Sequence, residues 1–309
     1  MFRTLTVFLV FLNLVCVNIS CSASTDPANT SEAAQATALL SQYHQVKAEL
    51  ANSVFGSPIL LNSDIGDDYA KGVVYALLET PFAALGEALS QPAQWCDLAI
   101  LHINIKTCIY HQNQVNFYVG RKYYQTPDQA YVLQYRFERL INNKRQLNIK
   151  LTAPKGPLGT FDYLINLQAI PIDEQHSFIR FEYRYRFGLI ANLAMQSYLA
   201  TLGRNKVGFT KIGIDENAEP IYIKGLQGVI ERNVMRYIFA IQSVLETSNS
   251  LAENRRAIQL AHWYAHIKKY PRQLVELTRE EYLNNKQREI DNQIAMQKTS
   301  LPCVDETIK

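Results

Sequence analysis

Residues 147–187 read LNIKLTAPKGPLGTFDYLINLQAIPIDEQHSFIRFEYRYRF. In 147–153, apolar Leu147, Ile149, Leu151 and Ala153 alternate with Asn148, Lys150 and Thr152. The alternation resumes after Gly156-Pro157-Leu158-Gly159 as Phe161, Tyr163, Ile165, Leu167 and Ala169. It runs a third time, past Pro171-Ile172-Asp173, as Ile179, Phe181, Tyr183, Tyr185 and Phe187, with Arg180, Glu182, Arg184 and Arg186 between them. Three period-two runs joined by short turns predict an antiparallel meander with one buried face, rich in aromatic rings, and one wet face.

Working outward, strand patterns precede the meander at 59–63, 71–77, 114–124 and 130–140, and follow it at 207–214 and 221–223. The segment 98–107 fits a strand or a helix equally. Helical spacing covers 31–50, the stretch opened by Pro81, residues 189–202, and above all 225–247. In that long helix Ile230, Val234, Tyr237, Ile238, Ile241 and Leu245 form one stripe. Val229, Met235 and Phe239 lie off it, so its back is expected to be covered by the charged helical segments 252–269 and 272–297. The fold class expected is α+β: a curved antiparallel sheet of six to eight strands gripping a long C-terminal helix, with extra helices at both ends.

The start of the chain, Met1-Phe2-Arg3 and an apolar run from Leu5 to Val17 before Ser20, Ser22 and Ala23, predicts a secretory signal cleaved after Ala23. Cys21 raises a lipoprotein ending, for which Asn18 is a poor fit. The resulting division is a signal over 1–23, a helical segment over 24–56, the sheet-and-helix domain over 57–248, and a helical appendage over 249–309. The expected location is the periplasm, where Cys96 and Cys108, twelve apart, would oxidise to a disulfide. Cys303 is then left over.

The chain has 309 residues, 48% hydrophobic and 19% charged, which excludes wholesale disorder. Net charge is only +3, but residues 26–97 carry nine acidic and two basic side chains, and 121–155 eight basic and two acidic. That asymmetry would suit a membrane surface or an anionic ligand.

The order of elements resembles the SRPBCC superfamily, the helix-grip fold of START lipid-transfer domains, pollen-allergen-like proteins and aromatic polyketide cyclases. The resemblance covers roughly 58–247. It rests on Gly72-Val73-Val74-Tyr75-Ala76 leading into Glu79-Thr80-Pro81-Phe82, then Trp95, the meander, and the closing helix. It implies a cavity between sheet and helix for a lipid, sterol or aromatic molecule.

The candidate lining set is Tyr131, Tyr135, Tyr163, Phe181, Tyr183 and Tyr185 from the sheet, with Ile230, Val234 and Ile238 from the helix. Buried tyrosines offer apolar area, and each hydroxyl demands a partner. Glu231, a quarter turn from the stripe, has two candidate roles: a general acid or base in the cavity, or the partner of a sheet arginine at its rim. Arg232 and Arg236 point away and are expected to hold the C-terminal helices.

His262 and His266 share a helix face, but no third ligand is evident and no metal is expected. Gly156-Pro157-Leu158-Gly159-Thr160 lacks the Lys-Ser/Thr of a phosphate loop, and no nucleophile elbow occurs, so no cofactor is expected. The basic sheet face with interleaved tyrosines could imitate a nucleic-acid platform, but an exported protein has little access to that role, so no nucleic-acid partner is expected. The function expected is an exported carrier of a hydrophobic, lipid-like molecule. The alternatives are a cyclase or isomerase acting through Glu231 in the same cavity, and an envelope interaction protein with a filled core.

Overall fold

The three alternating runs become neighbouring strands in a computed structural model that describes residues 27–189, 193 and 205–300. The signal and lipoprotein readings, Cys303, and most of the helix expected at 189–202 lie outside the described residues.

The chain opens with α1 (Pro27–Ala51), β1 (Ile59–Ile65) and β2 (Tyr69–Leu78), followed by α2 (Phe82–Leu89) and α3 (Pro92–Ala99). Next come β3 (Ile105–His111), β4 (Gln114–Val119), β5 (Tyr131–Asn142), β6 (Leu147–Lys155), β7 (Thr160–Pro171) and β8 (Ser177–Phe187). These eight strands form one antiparallel sheet in the order β1-β2-β8-β7-β6-β5-β4-β3. Register shifts in β5, and in β7 where Asp162 has φ 50°, interrupt the ladder and curve the sheet. The ambiguous segment 98–107 divides between the end of α3 and the start of β3.

The long helix is α4 (Gly225–Glu246), and its stripe residues Ile230, Val234, Ile238 and Ile241 are wholly buried. Close approach to the sheet depends on Gly72 in β2, where an added Cβ would lie 3.0 Å from Val234 Cγ1. The back of α4 meets α5 (Ala252–Lys268), as the off-stripe residues required. Trp263 Nε1 donates to the Arg236 carbonyl at 3.1 Å, and Phe239 stacks on His266 and Tyr270.

Helix α6 (Arg279–Ser300) is no loose appendage; Tyr282 and Ile290 belong to the main core. It covers the free edge of the sheet at β3. Gln293 Oε1 accepts the Cys108 N–H at 3.1 Å, and Gln297 both accepts from and donates to the Tyr110 backbone at 2.9 Å. These glutamines satisfy edge groups that would otherwise recruit another strand. Below them Glu289 bonds Lys106 and Lys286, each at 2.7 Å, with all three side chains buried.

Two expectations are corrected. Residues 211–222 do not rejoin the sheet; β9 (Lys211–Ile214) and β10 (Pro220–Tyr222) pair only with each other. Nor is the outer face of the sheet wholly wet, because α1 lays Leu39, Tyr43 and Leu50 on Phe178 and Ile170. Those outward apolar residues in β7 and β8 interrupt the polar half of the alternation. Cys96 and Cys108 are joined by a disulfide with Cα atoms 5.1 Å apart, tying α3 to β3. No helix among the described residues is long and apolar enough to cross a membrane.

Candidate functional site

The strands curve away from α4 on the β3–β5 side and leave a cavity of about 450 Å³, within the usual ~300–1,000 Å³ range of small-molecule sites. Tyr163 of β7, with Tyr183 and Tyr185 of β8, forms one wall, and Tyr237 and Asn233 of α4 form another. Ile105, Val119, Leu133 and His102 complete the interior, and Pro157 and exposed Leu158 form the rim. The Gly-Pro-Leu-Gly stretch is indeed a turn, and it lies at the cavity mouth. Among the described residues no Asp, Glu, Lys or Arg lines the cavity.

Of the expected lining set, Tyr163, Tyr183 and Tyr185 reach this space. Tyr131 does not: at the start of β5 it keeps the parity of Leu133 and Tyr135 but is 52% exposed, and it is not part of the cavity lining. Tyr135 is buried behind the wall between Phe117 and Tyr163. Phe181, Ile230, Val234 and Ile238 are fully buried in the core and lie outside the cavity lining. The reason is the seating of α4. Its 230/234/238 ridge is drawn onto β2 at Gly72, which leaves the neighbouring ridge, Asn233 and Tyr237, over the gap.

The aromatic wall is continuous. Tyr163 lies 5.3 Å from Tyr185 between ring centroids, Tyr185 5.9 Å from Tyr183, and Tyr183 5.6 Å from Tyr237. Burial raises the phenol pKa of each: Tyr163 is pushed up to about 12, and Tyr183, Tyr185 and Tyr237 are also raised well above the ordinary phenol value. Tyr163 shares a 2.7 Å hydrogen bond with Thr160 Oγ1. The hydroxyls of Tyr183, Tyr185 and Tyr237 have no hydrogen-bond partner among the described residues, and Tyr135 OH is buried without one.

His102 has no sequence signature, standing in the stretch that fitted strand and helix equally. Its Nδ1 accepts the Asn104 N–H at 3.1 Å, which leaves the proton on Nε2, buried and unpaired. Burial, with the cations of Arg236, Lys286 and Lys106 nearby, holds the imidazole well below the ordinary histidine range, so it is neutral. Only the packing of α6 and α4 around the α3–β3 connection reveals this residue. Lys286 Nζ donates to the His102 carbonyl at 2.7 Å, and Tyr237 lies 5.0 Å away, ring to ring.

Among the described residues Glu231 pairs with no arginine, and it is not part of the cavity lining they form. Both its oxygens are occupied: Oε1 accepts from Ser63 Oγ at 2.7 Å and Thr210 Oγ1 at 2.6 Å, and Oε2 from the N–H groups of Phe209 and Thr210. It is a bolt between β1, α4 and the chain entering β9. Arg232 and Arg236 do hold the C-terminal region, through Glu276 in the loop between α5 and α6. Burial alone would raise the Glu276 pKa, but the two guanidiniums outweigh it and hold the carboxylate well below its usual range. His262 and His266 both bond Glu246, at 2.9 and 3.0 Å. No group of three or more His, Cys, Asp or Glu among the described residues is placed to hold a metal ion.

A strand pair, two short helices, an antiparallel run and a long covering helix make up this architecture. The fold is α+β, with a curved antiparallel sheet gripping a long helix. No family model matches the chain, and no curated protein matches it by sequence. Among solved structures the chain is similar to an aromatase/cyclase from Streptomyces sp. R1128, at 11% identity and TM-score 0.32, covering 44% of this chain and 86% of that one. It is similar to a START superfamily protein from Mycobacterium smegmatis, at 13% identity and TM-score 0.28, over 44% and 92% of the two chains. A conserved protein of unknown function from Enterococcus faecalis aligns at 8% identity and TM-score 0.33, over 68% and 91%.

Proposed function

We propose that this protein is an exported, non-catalytic carrier that holds one hydrophobic small molecule, lipid-like in polarity, between its sheet and α4. The observation that carries the reading is the cavity of about 450 Å³, lined mainly by apolar and aromatic side chains, with His102, Asn104, Thr160 and Asn233 as polar groups and no charged group among the described residues. Such a lining favours transfer of apolar surface out of water at ~25 cal/mol per Å². With Glu231 fully engaged away from the cavity, a carrier accounts for the site better than acid–base chemistry does. Export is supported by the N-terminal sequence and by a disulfide of the kind that persists in oxidising compartments.

Native mass spectrometry on protein purified from its exported compartment tests the proposal. A bound mass that disappears under denaturing conditions is the expected result, and Leu133→Trp, which fills the cavity, should reduce its occupancy. A bare polypeptide in both spectra, unchanged by Leu133→Trp and by incubation with lipid extract, would refute it.

A further inference from the structure

On the carrier reading just given, we propose that the bound molecule carries a carboxylate, received by the hydroxyls of Tyr183, Tyr185 and Tyr237, with its apolar body towards Val119, Leu133 and the rim. The three tyrosines line one cavity, stand in ring contact, and have no hydrogen-bond partner for their hydroxyls among the described residues. Unlike the enclosed hydroxyl of Tyr135, these three remain accessible, so each is open to a ligand, and three of them on one wall suit a group with several lone pairs. Because burial keeps the phenols protonated, each can act as a donor.

The charge behind the wall has the matching sign. Lys106 and Lys286 face the single carboxylate of Glu289; two buried ammonium groups against one carboxylate leave one positive charge in excess. Lys286 touches the His102 carbonyl, and the His102 ring adjoins Tyr237, so this excess lies directly beyond the cavity wall. Among the described residues no acidic side chain lines the cavity to oppose an anion. A carboxylate brings one charge to be desolvated, whereas a dianionic phosphate would bring a second.

Binding of lauric acid and naphthoic acid, each against its neutral alcohol counterpart, is measured by titration calorimetry on delipidated protein at neutral pH. Each acid is expected to bind at least tenfold more tightly than its alcohol, or about 1.4 kcal/mol. The Tyr183→Phe/Tyr185→Phe variant should abolish that preference while still binding the alcohols. The wild-type comparison decides the matter even where the variant fails to fold. Alcohols binding as well as acids would overturn the carboxylate head and leave the carrier reading intact. No binding by any of the four probes would overturn both.

Discussion

Removing the Glu231 carboxylate should destabilise the protein in a graded, predictable way. In Glu231→Ala four donors lose their acceptor. The hydroxyls of Ser63 and Thr210 can rotate towards other partners, and Ser63 Oγ keeps its 2.9 Å bond from Gln227. The N–H groups of half-buried Phe209 and exposed Thr210 cannot turn, and a donor left unpaired costs ~1–3 kcal/mol where water does not reach it. Relief from burying a carboxylate offsets part of this, while the vacated volume adds to it. Little collapse is open to the site. Gly208 packs so near α4 that a Cβ there would stand 2.9 Å from Gly228 Cα. The net loss expected is about 3–5 kcal/mol, as for breaking a buried polar network.

Glu231→Gln keeps the shape and one oxygen able to accept two bonds, but turns an amide N–H2 towards the other two donors. Its loss should be smaller, about 1–3 kcal/mol. Urea unfolding reports both values, and native-state hydrogen exchange at Phe209 and Thr210 shows whether the opening starts there. An alanine variant within about 0.5 kcal/mol of wild type, or a glutamine variant less stable than alanine, would refute the reasoning. Ligand occupancy should survive Glu231→Gln, since this residue lies outside the cavity lining.

Opening the Cys96–Cys108 disulfide, by reductant or by Cys96→Ser/Cys108→Ser, should lower stability by about 3 kcal/mol for a loop of this length; equal urea midpoints with and without reductant would contradict it. Burial pulls the Lys286 pKa down to about 8 from a model-compound value near 10.5. Between those limits the unfolded chain binds more protons, so this group makes stability rise with pH, by at most about 1.4 kcal/mol per pH unit. Above pH ~10 the buried tyrosines act in the opposite sense, because the unfolded chain ionises them first. The window from about pH 8 to 10 is therefore the one to measure, and Lys286→Met should lack this component; equal slopes in variant and wild type would refute it.

The sheet was legible in the sequence because its signal is local. Leu151, Ile165 and Phe181 keep a period of two, and each is buried at 0% exposure. The covering helix was legible for the same reason, as was its buried back, since Met235 and Phe239 stood off the stripe. Tyr163, Tyr183 and Tyr185 could be named as candidates because strand parity fixes which way a side chain points.

What the sequence alone determined was thus the α+β class, the meander, the long helix and an inward wall of tyrosines. Only the tertiary structure decided that Tyr131 is exposed, that Tyr237 and Asn233 rather than Ile230, Val234 and Ile238 overhang the cavity, and that α6 seals the β3 edge. It alone brought His102, Lys106, Lys286 and Glu289 together, across nearly two hundred residues of chain. The physical reason is that periodicity records which face of an element is apolar, while the angle and depth at which two elements meet depend on contacts such as Gly72 against Val234. Such contacts join residues far apart in sequence, and they leave no mark on the pattern of either segment.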